Sequence, residues 1–205
     1  MKAAPVIHVV DDDAPLRSAL LCLLGEAGFE ARGYGSTGDF LLDPPPDGPG
    51  CLLLDLHLPG PSGLELQAAL KRQGIDLPVV FLTAFGDVSS SVTAMKAGAV
   101  DFLEKPVSRD RLLDAIGRAL AHDAAVRADR EEAAALLARL ADLTQRERQV
   151  FDGVVAGKLN KQIADVLGIA ERTVKLQRAQ MMRKLGVGSV AELGALAERC
   201  KGLSA

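Results

Sequence analysis

Tryptophan is absent from the chain, tyrosine occurs once, and aromatic residues make up only 3% of the 205 positions. Cysteine is also scarce. Cys22, Cys51 and Cys200 form no CxxC pair, which argues against a disulfide framework or a zinc site and favours a reducing compartment. No apolar run approaches the roughly 20 residues that a membrane-spanning helix needs. The first five residues lead directly into a strand pattern rather than a signal peptide, so we expect a cytoplasmic protein without a membrane partner.

Charge is distributed unevenly along the chain. Hydrophobic residues reach 48%, which is typical of a globular protein, and the length is comfortable for two domains. Residues 1–143 carry 13 Lys and Arg against 21 Asp and Glu, a net charge of -8. Residues 144–205 carry 11 against 6, a net charge of +5. This change of sign predicts an acidic domain joined to a domain that meets a polyanion.

Five short apolar runs alternate with helical patterns in the first part of the chain. The predicted strands are residues 6–10, 30–34, 51–54, 78–82 and 99–103, and the predicted helices are residues 16–27, 37–42, 64–70 and 88–97. The third run is apolar up to Asp55, which is typical of a strand covered on both faces. Because parallel neighbours need crossover helices, the pattern predicts an α/β fold with a doubly wound, five-stranded parallel sheet of flavodoxin-like type.

Polar side chains stand where four of these strands end. They are Asp11 and Asp12 after the first strand, Asp55 after the third, Thr83 after the fourth and Lys105 after the fifth. Carboxyl ends of parallel strands meet at one edge of the sheet, so we expect these side chains to converge. Three carboxylates that lie together need a cation, and Mg²⁺ suits a set of oxygen ligands. Asp55 is then a nucleophile for a phosphoryl group whose oxygens contact Lys105 and Thr83.

Four motifs resemble the receiver domain of two-component response regulators. They are Val9–Asp13, Leu54–Gly60, Leu82–Ala84 and Phe102–Pro106, and the stretch Met95–Phe102 is close to the FixJ branch of that family. The resemblance spans residues 4 to about 122. It implies the receiver fold, a sensor histidine kinase as the phosphoryl donor, and Asp55 as the phosphoacceptor that becomes 4-aspartylphosphate.

The same resemblance implies how the site binds its cation. Asp12 and Asp55 bind Mg²⁺ together with the backbone carbonyl of His57, and Asp11 acts through water. His57 and Phe85 depart from FixJ-like receivers. Both positions flank the phosphoryl site in the family, so these departures bear on the lifetime of the phosphoryl group.

The resemblance also implies a switch. Thr83 and Lys105 hold the phosphoryl oxygens, and Phe102 is the aromatic residue that turns inward when Thr83 moves. The Lys105–Pro106 peptide bond is cis in the family, as befits a bond that precedes proline.

A helical connection follows. Residues 121–143 are rich in Ala, Leu, Arg and Glu and contain neither Gly nor Pro, which favours a nearly continuous helix. Only about two heptads keep an apolar spacing, so a helical spacer with some dimer contact is expected rather than a self-standing coiled coil. The predicted domains are a receiver at residues 1–122, a helical linker at residues 123–142 and a further domain at residues 143–205.

The carboxy-terminal segment has the pattern of short capped helices. Thr144 and Glu147 predict a capping box, and two later helices at residues 161–167 and 171–185 are joined by a turn at Gly168. Two short helices with a glycine turn, in a segment of charge +5, favour an all-α helix-turn-helix domain that binds DNA. The bases left for solvent or phosphate on the second helix are Arg172, Lys175, Arg178, Arg183 and Lys184.

Further motifs resemble the LuxR-type helix-turn-helix over residues 140–203. They are Leu143–Glu147, Gly157–Ala164, Leu167–Ile169 and Arg172–Lys175. The helix at residues 171–185 follows the turn and is the expected recognition helix. The main candidates for contacts with base edges are Lys175 and Leu176. Arg172 and Gln177 are further candidates, and the family often has His at the position of Gln177. The residues expected to hold phosphates are Asn160, Lys161, Thr173 and Arg178.

These patterns predict a phosphorylation-controlled transcription factor and not an enzyme. Phosphorylation of Asp55 is expected to promote a homodimer that binds promoter DNA, with RNA polymerase as a further partner. Two alternatives stay open. Asp11 and Asp13 imitate the paired acids of haloacid-dehalogenase-type phosphatases, although Pro15 stands where that pattern expects Thr or Val. In the other alternative the helix-turn-helix contacts only protein.

Overall fold

The computed structural model describes residues 4–42, 47–84 and 88–203. The chain divides into two compact units, Met1–Arg127 and Ala128–Ala205. No helix in the described part combines the length and the apolar character needed to cross a bilayer.

Cys22 is exposed and Cys51 is fully buried, and burial raises the pKa of the Cys51 thiol to about 12.

The first unit is a parallel sheet flanked by helices. Its strands are β1 (Val6–Val10), β2 (Glu30–Tyr34), β3 (Gly50–Asp55), β4 (Val79–Thr83) and β5 (Asp101–Glu104). Its helices are α1 (Ala14–Glu26), α2 (Thr37–Leu42), α3 (Gly63–Arg72), α4 (Val88–Lys96) and the first part of α5 (Arg109–Ala141). All neighbouring strands are parallel, and their order is β2-β1-β3-β4-β5. The predicted doubly wound sheet is confirmed.

The hydrogen bonds explain where two elements begin. Helix α1 begins at Ala14, before the apolar spacing that starts at Leu16, because Asp13 Oδ1 accepts a hydrogen bond from Leu16 N at 3.0 Å and caps the first turn. Strand β5 begins two residues after its predicted start. Ala99 N donates to Ala94 O at 3.0 Å, so residue 99 still closes the end of α4.

The core of the first unit has two layers, one on each face of the sheet. All six residues of β3 are buried, and alternate residues point to opposite faces. Leu53 packs with residues of α1 and α5, including Leu24 and Ile116. Leu52 and Leu54 pack on the other face with residues of α2, α3 and α4. A strand buried on both sides therefore carries Asp55 at its carboxyl end.

Helix α5 is bound to the first unit beyond the predicted start of the linker. Asp123 is only 3% exposed and accepts a hydrogen bond from Gly50 N at 3.1 Å. It also forms an ion pair with Arg127, whose Nε lies 3.1 Å from its carboxylate. Arg127 also donates to Asp47 at 2.7 Å and to the carbonyl of Gly48. These contacts attach residues 123–127 to the first compact unit, which ends at Arg127. The linker predicted at residues 123–142 stays a prediction.

The second unit is a set of helices around one small core. After the end of α5 come α6 (Gln145–Val155), α7 (Asn160–Leu167), α8 (Glu171–Leu185) and α9 (Val190–Leu203). The predicted capping box is present, with hydrogen bonds between Thr144 and Glu147 in both directions. The turn between α7 and α8 contains Gly168 in the left-handed region at φ 64°. The buried core residues include Val150, Ile163, Val174, Met181, Leu185 and Leu193.

Candidate functional site

Three carboxylates meet at the carboxyl edge of the sheet. Strands β1 and β3 are adjacent, and this brings Asp11 and Asp12 next to Asp55. One carboxylate oxygen from each residue lies within 4.8 Å of the others. Asp11 is 1% exposed, Asp55 is 8% exposed and Asp12 is open to solvent. The set offers only oxygen ligands and has an open side, so these residues fit a hard divalent cation.

Lys105 joins two of these acids. Its Nζ donates to Asp55 Oδ2 at 2.6 Å and to Asp11 Oδ2 at 2.7 Å. Burial disfavours the charged lysine, but the hydrogen bonds and the charges of both carboxylates outweigh it and raise the pKa of Lys105. The Lys105–Pro106 peptide bond is cis, as the resemblance implied. The ammonium group therefore lies against the proposed nucleophile.

The backbones of His57 and Gly63 both lie against Asp55. His57 N donates to Asp55 Oδ1 at 3.1 Å, while the His57 side chain is exposed. Helix α3 begins directly against the Asp55 backbone. A β-carbon on Gly63 would lie 2.3 Å from the Asp55 carbonyl oxygen, so the close approach requires glycine. The result is a carboxylate with one oxygen bound to an amide and the other bound to Lys105.

Two residues predicted to act as a switch lie beside this edge. Thr83 is the last residue of β4 and is fully buried. Phe102 is half-buried in β5, and its ring centroid lies 6.1 Å from that of Phe81, its register partner in β4. Phe85, singled out in the sequence as a departure from the family, lies outside the described residues.

Arg17 of α1 also contacts the site, although the sequence pattern did not indicate it. Its Nη1 donates to the backbone carbonyl of Asp11 at 2.5 Å. The only local signal is a base four positions after Asp13, and such spacing also occurs on any solvated helix. The contact therefore becomes visible only in the fold.

The predicted DNA-contacting residues lie on α7 and α8 of the second unit. Those on α8 that are exposed are Arg172, Lys175 and Leu176, and those that are half-buried are Thr173, Gln177 and Arg178. Lys161 on α7 is exposed. Arg178 Nη1 donates to Asn160 Oδ1 at 3.0 Å, which links the two helices. Lys175 pairs with Glu171 at 3.2 Å across one helical turn.

Lys184 has a different place from the one expected. The sequence left this base for solvent or phosphate, but its Nζ lies 2.7 Å from Glu147 Oε2 and also donates to the carbonyl of Asp142 at 3.1 Å. The hydrogen bond from Lys184, together with those from Thr144, lowers the pKa of Glu147. Lys184 therefore ties the end of α8 to the start of α6.

A parallel five-stranded sheet with this acid and lysine cluster, followed by a helix-turn-helix, defines the class of DNA-binding response regulators. Residues 7–117 match the response regulator receiver domain, and residues 141–197 match the luxR family of bacterial regulatory proteins. The chain belongs to the response regulator family.

Relatives and solved structures agree with this assignment over nearly the whole chain. Nodulation protein W of Bradyrhizobium diazoefficiens is 40% identical over 193 residues, which cover 94% of this chain and 85% of that protein. Transcriptional regulatory protein FixJ of Rhizobium meliloti is 43% identical over 187 residues, which cover 91% and 92%. The structure of response regulator StyR matches with a TM-score of 0.85 and 46% identity, covering 96% of this chain and all of that one. Full-length FixJ from B. japonicum matches with a TM-score of 0.59 and 39% identity, covering 98% of each.

The chain is a two-domain response regulator with a LuxR-type DNA-binding domain, and its relatives are transcriptional regulators of two-component systems. The family consists of DNA-binding transcription regulators and not of enzymes. The phosphatase alternative is therefore excluded. Asp13, which that alternative would use as an acid, caps α1 instead.

Proposed function

We propose that Asp55 accepts a phosphoryl group from a sensor histidine kinase and that this event controls promoter binding. The observation that supports the proposal is the pairing of Asp55 with Lys105 beside two further carboxylates. A lone aspartate at a strand end has many uses, whereas this cluster provides a nucleophile and a fixed positive charge together.

The transfer is a displacement at phosphorus. An oxygen of Asp55 forms the new bond to phosphorus while the bond to the donor's histidine nitrogen breaks, and the product is an acyl phosphate. Lys105 already contacts Asp55 Oδ2 at 2.6 Å, so its ammonium group is placed to contact an oxygen of the new phosphoryl group. The hydroxyl of Thr83 donates to a second oxygen, and Phe102 turns inward in response.

We propose Mg²⁺ as the cation of this site. Asp12 and Asp55 would hold it with the backbone carbonyl of His57, and Asp11 would act through water. A cation held there would supply positive charge beside the phosphoryl oxygens. The oxygen-only set of ligands supports this choice, since softer metals favour nitrogen or sulfur ligands.

We propose that phosphorylation promotes a homodimer through the surface near β5 and its flanking helices. One helix-turn-helix reads a short half-site, whereas a symmetric pair matches a palindromic operator. The dimer binds promoter DNA in the cytoplasm and contacts RNA polymerase. In the domain plan the receiver comes first, a helical linker follows and the helix-turn-helix comes last. The contacts of Asp123 and Arg127 support moving the start of the linker from residue 123 to residue 128.

On the DNA, Lys175 and Leu176 are proposed to read base edges, with Arg172 and Gln177 beside them. Their support is exposure, because Lys175, Leu176 and Arg172 all face solvent on α8.

The proposed function is tested by Asp55→Asn. Incubation with acetyl phosphate or a kinase should leave acid-stable, base-labile phosphate on the wild type, and Asp55→Asn should abolish it because an amide cannot form the acyl phosphate. Chelation of Mg²⁺ should also abolish labelling. Asp114→Asn, which changes an exposed carboxylate of α5, is the control and should label normally. Undiminished labelling of Asp55→Asn would refute the assignment.

A further inference from the structure

We infer that Arg17 is a positioning residue for the cation site: its guanidinium group holds the backbone that presents Asp11 and Asp12. The inference rests on the proposed function of that site. Arg17 does not touch the reacting atoms, so its effect is exerted through the loop between β1 and α1. The main observation is the hydrogen bond from Arg17 Nη1 to the backbone oxygen of Asp11 at 2.5 Å.

This hydrogen bond continues a ladder at the point where the sheet ends. Strands β1 and β2 pair in register from Val6 with Glu30 to Val10 with Tyr34. Asp11 N still donates to Tyr34 O at 3.2 Å, but β2 ends there. The carbonyl of Asp11, a residue that is 1% exposed, then accepts from a side chain instead of from a strand. Buried backbone carbonyls need a donor, and Arg17 provides it.

The path of the Arg17 side chain depends on glycine in β2. A β-carbon on Gly33 would lie 3.2 Å from both Cγ and Cδ of Arg17 and 2.8 Å from Leu21 Cδ1. A β-carbon on Gly35 would lie 3.8 Å from Arg17 Nη1. The arginine therefore crosses the end of β2 in a space that a larger residue at position 33 would narrow.

The guanidinium group of Arg17 makes the contact that is specific to arginine, with the Asp11 carbonyl. The bond from Arg17 N to Asp13 O at 2.8 Å is the first backbone hydrogen bond of α1 and does not depend on the side chain. The Asp11 side chain is held separately, by Asp13 N at 3.0 Å and by Lys105 at 2.7 Å. Asp12 lies between Asp11 and the helix cap Asp13 and is exposed, so its direction follows the backbone. Loss of the guanidinium group would leave the Asp11 carbonyl without the donor that holds it on this side of the loop.

The sign of the effect on Mg²⁺ affinity separates positioning from simple electrostatics. Removal of a positive charge near three carboxylates would by itself strengthen the binding of a cation. Loss of a positioning contact would weaken it, because the ligands must be ordered at the moment of binding. Outer contacts of this kind typically contribute a factor of about 10 or more to metal affinity.

The experiment measures Mg²⁺ dissociation constants by titration calorimetry on the full chain, for the wild type, Arg17→Gln and Arg17→Lys. We expect affinity to fall roughly tenfold in Arg17→Gln and by less in Arg17→Lys. The rate of phosphorylation by acetyl phosphate at saturating Mg²⁺ should stay within about twofold of the wild-type rate. Excess cation fills the site even when its affinity is lower. Arg32→Gln is the matched control, because it removes an exposed arginine of β2 whose ion pair is with Glu30, two positions away in the same strand.

A second variant keeps the charge and disturbs the contact. A β-carbon at position 33 would lie 2.8 Å from Leu21 Cδ1 and 3.2 Å from Arg17 Cγ and Cδ, so Gly33→Ala should shift both side chains and lower Mg²⁺ affinity in the same direction as Arg17→Gln, whereas Gly25→Ala, with open space at its β-carbon, should not. Unchanged or tighter Mg²⁺ binding in Arg17→Gln, with only a lower melting temperature, would overturn the inference. A wild-type chain that binds no Mg²⁺ would overturn the proposed cation site itself, and the two failures are thus distinguishable.

Discussion

Lys105 Nζ lies 2.6 Å from Asp55 Oδ2, although 50 positions separate the two residues in the chain. The same nitrogen lies 2.7 Å from Asp11 Oδ2. One ammonium group thus reduces the repulsion between two buried carboxylates, although its single charge offsets only one of their two. The arrangement gives Lys105 a structural role in addition to its proposed contact with the phosphoryl group.

Lys105→Met should therefore destabilise the first unit when no Mg²⁺ is present. Breaking a largely buried ion pair from one side costs about 3 kcal/mol, because the partner charges stay buried. Urea unfolding can be followed by the fluorescence of Tyr34, the only tyrosine in the chain and a buried residue of β2. Added Mg²⁺ should recover part of the loss. Equal stability of Lys105→Met and the wild type without Mg²⁺ would contradict the proposed charge balance.

Phosphorylation should change the oligomeric state. Light scattering on the wild type should show a monomer mass that doubles after full phosphorylation, while Asp55→Asn should show no change. The reason is that Phe102, the proposed switch residue, lies in β5, next to the proposed dimer surface. Enhanced DNA binding without any change in mass would favour simple release of the DNA-binding domain instead.

Base reading and phosphate holding should separate in two variants. Lys175→Ala should cost roughly 1–3 kcal/mol at the cognate site and relax preference at one base pair. The ion pair of Lys175 with Glu171 is exposed on both sides and contributes little to stability. The loss of affinity should therefore come from the lost contact with DNA. Lys161→Ala should weaken all duplexes about equally and reduce the salt slope by about 1.

The measurement compares both variants on cognate and scrambled duplexes at several salt concentrations. Equal loss on both duplexes for Lys175→Ala would make its role electrostatic. Failure of the wild type to retard any duplex at low salt would contradict the assignment of α8 as the recognition helix.

Asp123→Ala should destabilise the first unit by about 2–3 kcal/mol, because Gly50 N and Arg127 would lose a buried acceptor. Tyr34 fluorescence in urea again reports on this unit. Glu30→Ala is the control, since its pair with Arg32 is half exposed and should change stability by less than about 0.5 kcal/mol. Equal small effects in the two variants would mean that residues 123–127 are not part of the receiver.

Stability of the second unit should depend on pH through Glu147. Hydrogen bonds from Lys184 and Thr144 lower the pKa of this carboxyl below its ordinary 4.5 in the folded state. Its contribution is therefore present above about pH 4.5 and is lost as pH falls through the lowered folded pKa. Urea midpoints by far-ultraviolet circular dichroism should fall less steeply with acid in Glu147→Gln than in the wild type. Glu171→Gln, an exposed change on α8, should keep the wild-type slope.

Much of this protein follows from local sequence patterns. Apolar runs that alternate with helical spacing predicted the order of strands and helices, because those periods depend on neighbours a few positions away. Asp11, Asp12, Asp55, Thr83 and Lys105 were predicted to converge because parallel strands end at one edge. The capping box of Thr144 and Glu147 was also predicted, since its partners are three residues apart.

Tertiary structure decided the contacts whose partners are far apart or chemically ordinary. Asp123 binds Gly50 across 73 positions, and Lys184 binds Glu147 across 37. In the sequence these are charged residues on helices, which usually face solvent. Arg17 is near Asp11 in the chain, but its direction depends on the space left by Gly33 in another strand. Partners such as these are determined by the packing of the folded chain. Only the fold decides which charged groups are removed from water next to each other.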